Sequence, residues 1–222
     1  MSHEVVEKKV GLLAVLVLSL VSIGGLAEIV PLFFLTAPPG VGSTVEPVQG
    51  LQPYDALRLE GRDIYLREGC GQCHTQMVRP LQAETERFGH YSLAGESVYD
   101  HPSLWGSKRT GPDLAQIGSR YSDFWNREHL RNPEAVVHGS VMPAYPWLAR
   151  TVLDGALTTT KMRTMNTLIT LTCATCATYS EKQIEEGPAK VRGSTEEEAL
   201  IAYLNGDPDQ PGGLGQLSTP VR

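Results

Sequence analysis

Residues 10–27, VGLLAVLVLSLVSIGGLA, contain no charge, and the apolar character resumes over residues 29–35, IVPLFFL. Hydrocarbon offers a peptide group no hydrogen-bond partner, so such a run crosses a bilayer as a helix whose amides satisfy one another. About 20 mainly apolar residues are enough, and this run is interrupted only by Glu28 and Pro31. A cleaved signal peptide has a shorter apolar core ending at a small-x-small site. Here the run continues past the best candidate, Gly25-Leu26-Ala27, which points to a retained anchor over residues 10–35. Lys8 and Lys9 precede it and no cation follows closely. Residues 1–9 are therefore expected in the cytoplasm and the remainder outside, as a single-pass protein of a bacterial inner membrane with its bulk in the periplasm. Glu28 and Pro31 suit a helix packed against another membrane subunit better than one facing lipid alone. Pro31 is expected to kink or end the helix.

Beyond the anchor, residues 36–52 are rich in proline and glycine and read as a linker. A folded domain is expected over 53–207 and a tail over 208–222. The formal charge of −6 excludes the basic stripe of a nucleic-acid binder. Residues 36–180 hold 14 acids against 13 Lys and Arg, whereas residues 181–209 hold 8 against 3. That acidic run is expected to be a solvated helix face, with a docking surface for a basic partner as the alternative.

All four cysteines lie in two C-x-x-C pairs, GCGQCHT at residues 69–75 and TCATCAT at residues 172–178. Only the first is followed by histidine. Outside the cytoplasm, C-x-x-C-H is the attachment sequence of c-type haem. Two thiols three residues apart add across two vinyl groups, and the adjacent histidine is carried beneath the iron. A zinc half-site or a disulfide is the alternative, and zinc would want two further ligands at suitable spacing.

The flanks favour haem. Residues 53–69 suit an amphipathic helix with Pro53 near its first turn. Gly61 within it costs about 1 kcal/mol against alanine and makes sense where another helix crosses closely. Residues 194–205 supply a partner, with a Ser194/Glu197 capping box and an apolar stripe of Leu200, Ile201, Tyr203 and Leu204. This pairing resembles class I cytochromes c, and the expected fold is all-α: one transmembrane helix, then a class I cytochrome c domain with a long insert. By the same resemblance the Pro112 carbonyl accepts from the second ring nitrogen of His74, which fixes the tautomer and raises ligand basicity. The sixth ligand is sought among Met77, Met142, Met162, Met165 and the five other histidines. Met77 is too close to His74. Met142, between stiffening prolines in VMPAYPW, is the best candidate, and Met162 and Met165 read as a packed helix face. His74 and Met142 together leave no open coordination position, so the iron is expected to carry electrons rather than bind oxygen.

The stretches VGLLAVLVLSLVSIGGLAEIVPLFF, LEGRDIYLREGCGQCHTQMVRP, AETERFGHYSLAGESVYDHPSLWGSKRTGPDLAQIGSRYSD and MPAYPWL resemble the mono-haem FixO/CcoO subunit of cbb3-type cytochrome c oxidases. The resemblance implies a non-catalytic redox subunit with one covalent haem c, beside a haem–copper subunit that reduces oxygen to water. Its electrons would come from a di-haem cytochrome c subunit or a soluble cytochrome c. It also implies a calcium ion near the subunit interface, sought at the backbone oxygens of residues 105–109. The other readings are the mono-haem subunit of a nitric oxide reductase and an independent anchored carrier. Residues 76–110 are expected to form a partner-facing insert. Within the domain, Arg79 and Arg109 are candidates for haem carboxylates or for ion pairs with a nearby glutamate. Tyr91, Trp105 and Trp147 are candidates for lining the haem crevice. His90 and His101 read as structural or interfacial. Cys173 and Cys176 lack a following histidine, so no second haem is expected. Two thiols packed on a continuous helix is the leading expectation there, a disulfide the alternative.

Overall fold

The computed structural model describes residues 4–35, 47–48, 50–100, 104–106, 108–115, 117–173 and 175–206, with backbone alone at 31–35 and 119. It divides into two units, Met1–Thr44 and Val45–Arg222. The first holds α1 (Glu4–Glu7) and α2 (Val10–Leu35). The span Val10–Val30 has a mean hydropathy of 2.5 and buries none of its length within the protein. A helix apolar on every side has no face to turn to water. Among the described residues it is the one helix long and apolar enough to cross a membrane. It runs through Pro31 to Leu35, over the span expected for the anchor, so of the two expectations for that proline the ending is excluded.

The second unit is helical, and no strand occurs among its described residues. Its first helix, α3 (Ala56–Arg67), is capped by Asp55, whose carboxylate accepts from Arg58 N at 2.9 Å. Pro53 lies two residues before the cap, near the first turn as expected. After α4 (Gln82–Phe88), α5 (Asp123–Arg131), α6 (Pro133–Val136), α7 (Thr158–Thr172) and α8 (Glu181–Val191), the fold closes with α9 (Glu196–Asn205). Helices α3 and α9 cross at Gly61, where a Cβ would lie 1.9 Å from the Ala199 carbonyl oxygen. Around the crossing, Leu59, Ile64, Tyr65, Leu200, Ile201 and Tyr203 are buried. The rings of Tyr54 and Tyr65 each lie 5.6 Å from that of Tyr203. Their hydroxyls are provided for: Tyr54 donates to Asp100 at 2.9 Å, Tyr65 to the His74 carbonyl at 3.1 Å, and Tyr203 to Gln76 Oε1 at 3.3 Å.

The cap of α9 is Thr195 with Glu198, one residue later than expected. Ser194-Thr-Glu-Glu-Glu satisfies the capping pattern in two registers, and tertiary contacts choose between them. Glu197 is taken by Arg131 at 2.8 and 2.7 Å, while Glu196 is taken by Arg67 at 2.7 and 2.6 Å. Both glutamates are buried. The expectation of a solvated acidic face therefore fails for the start of α9 and holds for Glu181, Glu185 and Glu186 on α8, which are exposed.

Helix α7 docks on α3 through polar contacts. Glu60 accepts from Thr158 Oγ1 at 2.7 Å and from Lys161 Nζ at 2.5 Å, and Lys161 also pairs with Asp63 at 2.8 Å. Met162 and Met165 are buried on the packed face of α7. The helix stops at Thr172, because Cys173 takes up extended backbone as its C-cap. Asn166 then gathers the chain back: its side chain donates to Tyr179 O at 2.9 Å and accepts from Tyr179 N at 2.8 Å. Within this turn Cys173 and Cys176 form a disulfide, which overturns the expectation of two thiols on a continuous helix.

Candidate haem site

Gly69, at φ +72°, turns the chain out of α3 in a conformation that a side chain would strain. The 3₁₀ turn Cys70–Gln72 follows. Cys73 N and His74 N both donate to Cys70 O, at 3.1 and 2.9 Å. One tight turn thus presents both thiols and the imidazole. Cys70 is half-buried and Cys73 exposed, and neither is disulfide-bonded. Burial, reinforced by Glu68 and Cys73, pushes the Cys70 thiol up to about 11.

His74 is held by a segment far along the chain. Its Nδ1 lies 2.8 Å from Pro112 O, the arrangement in which that nitrogen donates and Nε2 is left as the ligand. The contact belongs to a short pairing of 73–75 with 109–114, with one antiparallel bridge between His74 and Arg109, in which Gly111 N donates to Cys73 O at 3.1 Å and Leu114 N to Thr75 O at 2.9 Å. A Cβ on Gly111 would lie 2.2 Å from His74 Cε1, so only glycine leaves the ring its place.

Behind this pairing lies an ion cluster. Arg109 donates to Glu84 at 3.0 and 2.8 Å, to Asp113 at 3.1 Å and to Met77 O at 2.7 Å. Arg79 donates to Glu84 from Nε at 2.6 Å and from its backbone at 2.9 Å. Both arginines therefore engage α4 inside the insert. The hydrogen bond from Arg79, with Arg109 adding to it, holds the Glu84 carboxyl low, at about 2. A depressed carboxylate stabilises the fold above its unfolded pKa of about 4.3, and that contribution is lost as pH falls through about 2. Glu84→Gln is expected to be less stable than the parent at neutral pH. The gap should close as the acid is titrated over that window in denaturant melts; a gap independent of pH would refute the assignment.

Met142 lies on the loop after α6, half-buried against the main core. Tyr145, on the same loop, donates its N–H to Leu130 O of α5 at 2.7 Å. Burial, and then the proximity of Cys70 and Cys73, raises its hydroxyl pKa. The Met142 loop therefore approaches the turn that carries the thiols. Trp147 packs edge-on to Tyr145 with ring centres 5.3 Å apart, although it is largely exposed. Trp105 donates to Ser97 Oγ at 2.8 Å, and Tyr91 is exposed on the insert. His90 pairs with Glu96 at 2.8 Å. Within 105–109, the Gly106 carbonyl accepts from Thr75 Oγ1 at 2.5 Å, and residue 107, like His101, lies outside the described residues. Among the described residues, no group of three His, Cys, Asp or Glu could hold a metal ion.

The donor set fits a covalently held haem: two unpaired thiols, an imidazole with one nitrogen engaged, a glycine cradle at the ring, and a thioether on a loop that approaches the thiols. Sequence reasoning missed Glu84 and Asp113, which lock the 109–114 segment, and the ring stack of Tyr121, Trp125 and His129 on and before α5. The spacing of that stack, four residues at each step, was a legible signal.

A family model described as cytochrome C oxidase, mono-heme subunit/FixO matches residues 3–207. No curated protein matches the chain.

Proposed function

We propose, because the chain belongs to the FixO family of cytochrome c oxidase mono-haem subunits, that it is the anchored electron-transfer subunit of a cbb3-type haem–copper oxidase. Membership carries a haem cofactor and a catalytic oxidase partner with it. The observation that supports the finer reading best is that one match, over residues 3–207, takes in the apolar helix and the C-x-x-C-H turn together.

Bound haem supplies a one-electron iron couple. Cys70 and Cys73 would tether it through thioether bonds, each sulfur adding to a vinyl carbon while its hydrogen goes to the neighbouring carbon. His74 would hold the haem iron through Nε2, made more basic by the bond from Nδ1–H to Pro112 O. Met142 would supply the second protein ligand, and an iron so held would suit electron transfer rather than ligand chemistry. Helix α2 keeps the domain on the outer face of the inner membrane, next to the catalytic subunit that reduces oxygen. A di-haem cytochrome c subunit or a soluble cytochrome c supplies the electrons.

Purification of the full chain from its membranes in mild detergent, with haem and metal assay of everything that stays bound, tests this. High-spin haem b together with copper in the co-purified partner is expected. High-spin haem b without copper would replace the proposal by a nitric oxide reductase subunit, and migration as a lone cytochrome by an independent carrier.

A further inference from the structure

Helix α5 leaves Nδ1 of His129 buried with no hydrogen-bond partner. Trp125 stacks on Tyr121 with ring centres 3.9 Å apart and on His129 with ring centres 4.6 Å apart, both at 14°. Residues 125 and 129 are one helical turn apart and share a face. One face of the imidazole is covered by Trp125, and a buried ring nitrogen without a partner calls for one that the described residues do not supply.

One contact ties this part of α5, at His129, to the haem site. The following residue, Leu130, receives the Tyr145 N–H at 2.7 Å, which ties this end of α5 to the Met142 loop. Arg127, whose Nε is also buried and unpartnered, stands two positions from His129 and so on another side of the helix. It does not compete for the same space.

We propose that His129 is a haem-binding residue that donates a hydrogen bond from Nδ1–H to a carboxylate of the haem. The inference rests on the haem reading above. An acceptor carboxylate fits a half-buried imidazole N–H, because one partner carries the proton and the other only lone pairs. The bond also draws negative charge from the carboxylate, which weakens the carboxylate's stabilisation of oxidised iron. Its loss is therefore expected to lower the midpoint potential.

Two variants of the full chain, assembled with haem in the membrane, separate donor from packing. His129→Phe keeps the stack and removes the donor, whereas His129→Asn keeps a donor near Nδ1 and removes the stack. The readouts are covalent haem content, the potential from redox titration, and the carboxylate bending mode in resonance Raman spectra. The inference expects a lowered potential and a shifted bending mode in the Phe variant, with values near the parent's in the Asn variant. Loss of haem from the Phe variant alone would also support it. Parent-like potential and bending mode in the Phe variant would overturn it, as would equal loss of haem from both variants, which would assign His129 to packing. A parent chain without covalent haem would instead refute the reading on which the inference rests.

Discussion

Gly61→Ala is expected to lower the stability of the haem-bearing unit by about 3 kcal/mol, the upper end of overpacking penalties. Two effects of opposite sign compete at this position. Alanine is the better helix former by about 1 kcal/mol, so on an open helix face the change would stabilise. Here the added carbon would lie 1.9 Å from the Ala199 carbonyl oxygen and 2.9 Å from Tyr203 Cβ. Backbone cannot step aside as the tip of a side chain can, so α3 and α9 must move apart and the Tyr54–Tyr65–Tyr203 cluster must loosen with them. For a domain of this size the loss corresponds to a melting point lower by about 6–12 °C, read by circular dichroism. A variant that melts at or above the parent would show that the crossing has room and that propensity wins.

The second large effect separates the two cysteine pairs. Cys70→Ala with Cys73→Ala is expected to abolish haem staining of the denatured chain, because no covalent bond to the cofactor then survives unfolding. Cys173→Ala with Cys176→Ala is expected to leave staining intact, since these residues are joined to each other and no imidazole follows them. Mass spectrometry of the parent supplies the complement: reductant should add two hydrogens, and both should map to the peptide that carries Cys173 and Cys176. Haem staining that depends on the second pair, or no mass change on reduction, would refute the assignment.

What the sequence made legible follows from range. The anchor could be read because its constraint is local: an uncharged run must satisfy its own backbone. The α3–α9 crossing could be read because a glycine inside an amphipathic helix weakens it unless a neighbouring backbone needs the space. Reading failed where distant side chains decide. Ser194 and Thr195 offer equivalent local caps, and the choice depends on Arg131, 66 residues from Glu197. The helix through Cys173 has no local breaker such as proline. It ends where Asn166 finds the backbone of Tyr179 at a separation of 13 residues. The two arginines of the insert had two readings of equal standing until Glu84 was placed between them. The imidazole of His129 carried no motif, only a four-residue rhythm with Tyr121 and Trp125.

The pairing of 73–75 with 109–114 has a consequence for how freely this part of the chain can vary in length. It seals the intervening residues into a closed excursion, so the position of Pro112 O against His74 depends on the two strips at its base rather than on the residue count between them. Closing a flexible loop costs only about 0.6 kcal/mol more for each doubling of its length. Residues can therefore be added or removed near the exposed Tyr91, away from Glu84 and its arginines, while the imidazole keeps its setting. The excursion is an adjustable outrigger on a fixed mount, able to be recut for a different neighbour without disturbing the iron ligand at its root.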